Sequence, residues 1–168
     1  MKNILIISAT LKNNYKLAKQ LKVLIDKEAN VTIISLENYD FPIYTDNTFD
    51  KHIKSYQRTI EELTKYFIDN QGIIICAPEY NGSTPPIVNN AIAWISTTTK
   101  YWRDAFNDKI ALIATSSGGP GTKYITIMKL QMEHLGCVVM PRSISANKSN
   151  PLNIESTKKI LKKFIDLT

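Results

Sequence analysis

Ile4-Leu5-Ile6-Ile7 and Ile73-Ile74-Ile75 are uninterrupted aliphatic runs. A strand with one wet face alternates apolar and polar side chains, whereas a strand apolar at every position has to be covered on both faces. Such cover belongs to a parallel sheet, whose crossovers lay helices on its two sides. The chain supplies these helices. Leu17, Leu21, Leu24 and Ile25 recur at helical spacing, as do Ile53, Tyr56, Ile60, Leu63 and Phe67. Val88, Ala91, Ile92 and Ile95 mark a third helix, with Thr84 expected as N-cap and Pro85 in the first turn. Ile125, Met128, Met132 and Leu135 mark a fourth, ending at Gly136, where His134 suits the negative end of the helix dipole. Ile154, Leu161, Phe164 and Ile165 mark a fifth. Residues 31–36, 110–115 and 137–140 read as the remaining strands. The expectation is an α/β sandwich of three layers around a five-stranded parallel sheet, one domain over residues 1–168. Right-handed crossovers leave few topologies, and ligands bind outside the carboxyl ends of such strands. Function is therefore expected in the loops after strands one, three and four.

The composition narrows the partners. No apolar run approaches the roughly 18 residues of a membrane span, and the start has no signal-peptide pattern, so a cytoplasmic protein is expected. Cys76 and Cys137 lie in apolar runs and read as buried thiols. They and His52 and His134 have no metal-site spacing, so no metal is expected. The net charge is +6, which could suit an anionic partner. However, Lys12, Lys16, Lys19 and Lys22 line the first helix and Lys158, Lys159, Lys162 and Lys163 the last, as solvated faces do. No nucleic-acid motif accompanies them.

The loop after strand one carries Ser8, Thr10, Lys12 and Asn14 into a helix N-terminus. That pattern suits a phosphate, held by free N–H groups and the helix dipole, or plain capping by the hydroxyls and Asn. It contains no glycine and is no dinucleotide fingerprint. The loop after strand four contains Ser116, Ser117, Gly118, Gly119, Pro120 and Gly121. It ends in Thr122-Lys123-Tyr124 and so lacks the Gly-Lys-Ser/Thr of a phosphate-binding P-loop. It is either a turn or a place where backbone approaches a flat ligand. The loop after strand three is longer than a connector needs. Its Pro78 lacks an N–H, Tyr80 offers a ring face, and Asn81-Gly82 favours a tight turn with positive φ. Glu79 reads as an acid/base or as a structural carboxylate, the second being simpler.

Pro78-Glu79-Tyr80-Asn81-Gly82-Ser83, followed by Pro85 and Asn90-Ala91-Ile92 with Trp94, closely resembles the signature of the NAD(P)H-dependent FMN reductases. Phe41-Pro42-Ile43-Tyr44 resembles that family's segment after strand two, and Asn107-Asp108-Lys109 also falls in place. The chain departs at Ala9-Thr10-Leu11-Lys12, where the family usually reads Gly-Ser-x-Arg. The resemblance implies the flavodoxin-like fold with strand order 2-1-3-4-5. It implies bound FMN, with residues 78–82 edging the flavin, Ser116, Ser117, Gly118 and Gly119 closing its other side, and Ser8, Thr10, Lys12 and Asn14 on the phosphate. It implies that NADPH or NADH gives hydride to flavin N5 with no catalytic side chain. A quinone, free flavin or azo compound then takes the electrons by a ping-pong cycle. A homodimer or homotetramer is implied as well, with Tyr101, Trp102 and Phe106 as candidates for its interface, for a pocket rim or for core packing. The alternative is a flavodoxin-type carrier or a flavin-binding redox sensor without its own NAD(P)H turnover.

Overall fold

The computed structural model describes residues Met1–Thr168. The aliphatic runs form β1 (Lys2–Ser8) and β3 (Gly72–Cys76), flanked by β2 (Ala29–Ser35) and β4 (Ile110–Ser116). The edge is completed by two short pieces, β5 (Val138–Val139) and β6 (Ile144–Ala146), both paired with β4. All pairings are parallel, and the order is β2-β1-β3-β4-β5. This is the flavodoxin-like order.

The two-faced strands account for the layers. In β1, Leu5 and Ile7 face one core while Ile4 and Ile6 face the other. Ile73 and Ile75 of β3 follow the first pair, and Ile74 and Cys76 the second. Leu17, Leu21 and Ile25 of α1 (Asn13–Ile25), with Ile160, Leu161 and Phe164 of α5 (Ile154–Leu167), cover one side. Leu63 and Phe67 of α2 (Asp46–Ile68), Ile92 and Ile95 of α3 (Pro86–Ser96), and Met128 and Met132 of α4 (Thr122–His134) cover the other. Each such aliphatic side chain, fully buried, contributes about 1.5–3 kcal/mol.

Two expectations change, and one left open is resolved. Thr84 does not cap α3: its hydroxyl takes a hydrogen bond from Asn89 Nδ2, and the cap position falls to Pro85 with Pro86 at the first helical position. Two successive prolines, neither with an N–H to satisfy, suit that start. The fifth strand is shorter than residues 137–140. Pro141 and the turn after it break the edge, and β6 resumes the pairing with β4 three residues on. Phe106 is buried in the core against Phe67, with ring centroids 5.3 Å apart, while Tyr101 and Trp102 are exposed. Gly136 ends α4 with φ 93°, as its position required.

The family-like segments meet in space. Pro42's carbonyl accepts hydrogen bonds from Asn90 Nδ2 and Trp94 Nε1, and Asn90 Oδ1 accepts one from Tyr44 N. A strap over residues 39–45 is thereby fastened to α3. Phe41, Tyr44 and Phe49 pack around the Trp94 ring with centroids 5.3–6.2 Å away.

Candidate functional site

The parallel registers bring the strand ends level. Ser8 lies beside Cys76, Cys76 beside Ala114, and Ser116 beside Ala146. Ladder-like bonds continue into the loops, from Ala9 N to Cys76 O and from Ala77 N to Ala114 O. Three loops therefore leave the sheet together. A cavity of about 680 Å³ opens between them, within the roughly 300–1,000 Å³ usual for small-ligand sites. Its walls bring together Thr10, Lys12 and Asn14 from the first loop, Pro78, Glu79 and Tyr80 from the second, and Ser116, Ser117 and Gly118 from the third.

In the first loop, Ser8 is fully buried and its hydroxyl donates to Thr10 O at 2.6 Å. Asn14 is also buried. Its Nδ2 donates to Ser116 O at 2.9 Å, and its Oδ1 accepts from Ser116 N at 2.8 Å. Both polar side chains are thus engaged inside the protein, Asn14 within the cavity lining and Ser8 behind it. Thr10, Lys12 and Asn13 remain at the cavity surface. Lys12 precedes α1 and makes no side-chain cap bond.

In the second loop, Tyr80 and Ser83 exchange backbone hydrogen bonds of 3.1 and 2.9 Å around Asn81 and Gly82. Their φ angles are 49° and 71°, the two positive values of a tight primed turn. Tyr80 is 49% exposed at the mouth of the cavity. The Glu79 carboxylate reaches the start of α4: its Oε2 accepts from Lys123 N at 3.0 Å and Tyr124 N at 3.2 Å. A negative charge there satisfies orphan donors and complements the dipole of α4. Glu79 N in turn donates to Ser117 Oγ at 2.7 Å. Tyr124 is wholly buried, its hydroxyl donates to Ile75 O at 3.1 Å, and burial holds its pKa well above the usual phenol value. The second and third loops and the start of α4 are therefore one hydrogen-bonded unit.

The third loop bends at Gly121, with φ 66°, where a Cβ would lie 2.7 Å from Thr115 Cγ2. Gly118 and Gly119 are exposed, and nothing within 4 Å would meet a Cβ on either. The glycines leave open room rather than tight backbone contacts.

A model of the NADPH-dependent FMN reductases matches residues 2–151. The chain belongs to that family. No curated protein matches the sequence at a significant level. Among solved structures, it is similar to FerB, a flavoenzyme NAD(P)H:(acceptor) oxidoreductase of Paracoccus denitrificans. The TM-score is 0.78 at 21% identity, covering 99% of this chain and 97% of the other. It is also similar to an NADH:FMN oxidoreductase in its apo form (TM-score 0.77, 14% identity, 98% and 89% covered). A flavodoxin from the domain Archaea gives a TM-score of 0.61 at 16% identity, with 99% and 96% covered. At these identities the likeness is one of fold.

Two parts of this FMN reductase family member's cavity escaped the sequence reading. Ala146, Asn147, Lys148, Pro151 and Leu152 form a wall beyond β6, and Glu37 stands at the end of β2. Asn147 builds its own tight turn, with Oδ1 accepting from Ser149 N and Asn150 N. An Asn followed by Lys-Ser-Asn-Pro carries a turn signal, but nothing in it points to a particular cavity. No helix is long and apolar enough to cross a membrane.

Proposed function

We propose that this protein is an NAD(P)H-dependent, FMN-containing reductase that passes electrons to small acceptors of the quinone, free-flavin or azo type by a ping-pong cycle. The observation that carries the reading is the convergence of three loops on one cavity, whose lining includes Lys12, the exposed Tyr80 and Gly118. Bound FMN would supply the redox chemistry, taking hydride from NAD(P)H and releasing two electrons to the acceptor.

The chain's residues suit that group. The first loop, with Ser8, Thr10, Lys12 and Asn14 at the start of a helix, would take the phosphate, Lys12 supplying a positive charge at the cavity wall. Residues 78–82 present the turn held by Tyr80 and Ser83 to the edge of a flat ring. Ser116, Ser117, Gly118 and Gly119 flank the opposite side. Glu79, committed to the α4 N–H groups, positions these loops rather than moving a proton. FMN is preferred to FAD, because the first loop carries no dinucleotide glycine pattern.

A flavodoxin-type carrier usually encloses the ring between loop aromatics. Tyr80 is the single aromatic lining this cavity, so one face stays open for a nicotinamide and then for an acceptor. The +6 net charge also differs from the acidity of such carriers. We assign the protein to the cytoplasm and to a homodimer or homotetramer, with exposed Tyr101 and Trp102 at the subunit contact.

Anaerobic mixing with NADPH and, separately, NADH tests the reading. A reductase bleaches its flavin within turnover time and regains its color when a quinone is added. A carrier or sensor stays oxidised for many minutes. Recovery of FAD alone after denaturation, or of no flavin at micromolar concentration, defeats the cofactor assignment.

A further inference from the structure

The Leu11 N–H in the first loop donates to the Glu37 carboxylate. Leu11 lies between Thr10 and Lys12, in the stretch where a phosphate would seek donors. We propose that Glu37 is an internal competitor for this anion-binding loop, weakening its hold on phosphate esters and making FMN exchangeable. The inference rests on the flavin reading above.

Local structure puts the carboxylate there. Ser35 pairs with Ser8, so β2 ends level with β1. A short 3-10 turn, Leu36–Asn38, follows, and Leu36 is buried. The next side chain, Glu37, is exposed and lines the cavity together with Lys12 and Lys148. It forms an ion pair with neither lysine: Lys65–Asp69 and Lys162–Asp166 are the pairs within 4 Å. Its partner is a backbone N–H, the donor type that a phosphate oxygen uses at the start of a helix. A carboxylate and a phosphate cannot share that donor without repulsion between like charges. Being exposed, Glu37 can turn out into solvent, so it taxes phosphate binding without blocking it. Such a residue sets affinity through charge; the part of the ligand without phosphate does not feel it.

Glu37→Gln removes the charge and leaves an amide oxygen for Leu11 N–H. Dissociation constants for FMN and for riboflavin, which lacks the phosphate, are measured on wild type and E37Q by flavin fluorescence. Inorganic phosphate is titrated by calorimetry as a flavin-independent probe. Glu37→Ala serves as a second variant, and circular dichroism checks folding of both. The expected result is about tenfold tighter FMN binding in E37Q, as for loss of one charge-assisted competitor. Inorganic phosphate should follow in the same direction, and riboflavin should stay within about twofold. Unchanged or weaker FMN binding in both variants overturns the proposal and shows Glu37 ordering the loop instead. Equal tightening of riboflavin also overturns it, since the effect would then be steric. If neither flavin binds any of the proteins, the reductase reading fails, and the phosphate titration still decides the role of Glu37: tighter binding in E37Q supports it, equal binding refutes it.

Discussion

The Asn14 amide and the Ser116 backbone exchange two hydrogen bonds, of 2.9 and 2.8 Å, across 102 residues of sequence. With Asn14 only 1% exposed, this pair locks the first loop to the end of β4. Asn14→Ala leaves a buried N–H and carbonyl without partners, which costs about 1–3 kcal/mol. Urea unfolding should show that loss, and FMN binding should weaken as the two loops lose their spacing. Asn14→Asp, which keeps the acceptor and loses the donor, should fall between wild type and alanine.

Glu79 makes the opposite use of a site position. Because its carboxylate caps α4, Glu79→Gln should keep steady-state turnover within severalfold while losing about 0.3–1 kcal/mol of stability. Glu79→Ala should lose more, on thermal and urea unfolding alike. A loss of turnover by several orders of magnitude in E79Q, with flavin still bound, would make it an acid/base.

Asn81 and Gly82 hold positive φ angles at an exposed turn. Replacing both by valine forces β-branched residues into the left-handed region at roughly 1–2 kcal/mol each. The core lies elsewhere, so far-UV circular dichroism should be preserved and FMN binding lost. Normal FMN binding by the double variant would remove this turn from the site.

Lys12 separates two phosphates. If Lys12 holds a phosphate, Lys12→Ala removes one charge-assisted hydrogen bond, about 1.5–3 kcal/mol, or roughly tenfold to hundredfold in affinity. A weaker FMN complex with unchanged NADPH kinetics puts it on the cofactor. A raised KM for NADPH alone, with FMN and NADH unaffected, puts it on the ribose phosphate of the nicotinamide. Changes under about twofold in both leave it a solvated lysine.

The thiols should be silent. Burial raises the pKa of Cys137 to about 12 and that of Cys76 higher still. Thiol reagents at pH 8 should label neither until the protein unfolds. Since unfolded thiols titrate near pH 8.5, the protonated folded thiols favour folding below that pH. This contribution is lost as pH rises toward their folded values. Unfolding midpoints measured between pH 8 and 10 should fall accordingly.

The sheet was legible because β1 and β3 carry the unbroken aliphatic runs Ile4-Leu5-Ile6-Ile7 and Ile73-Ile74-Ile75, a signal that survives without tertiary knowledge. The Asn81-Gly82 turn was legible for a similar reason: the dipeptide carries its backbone geometry with it. Ser8 and Asn14 were harder. Their side chains are the same whether they meet a ligand or a backbone, two residues on for Ser8 and 102 residues on for Asn14, and only the fold brings Ser116 to Asn14. The β6 wall was missed because Ile144-Ser145-Ala146 is three residues long with one large aliphatic. Phe106 could not be told from Tyr101 and Trp102, for which interface, pocket rim and core packing all stood open; the turns through residue 108 swing it inward.

The interruption at Pro141 has an evolutionary side. The wall formed by residues 146–152 hangs from an edge segment of three residues, whereas the opposite wall grows from the central strands β1 and β3. Mutations that lengthen or shorten the outer wall disturb little of the core. A lineage carrying this scaffold could therefore reshape one side of the cavity by editing that single loop, while the loops after β1 and β3 stay unaltered.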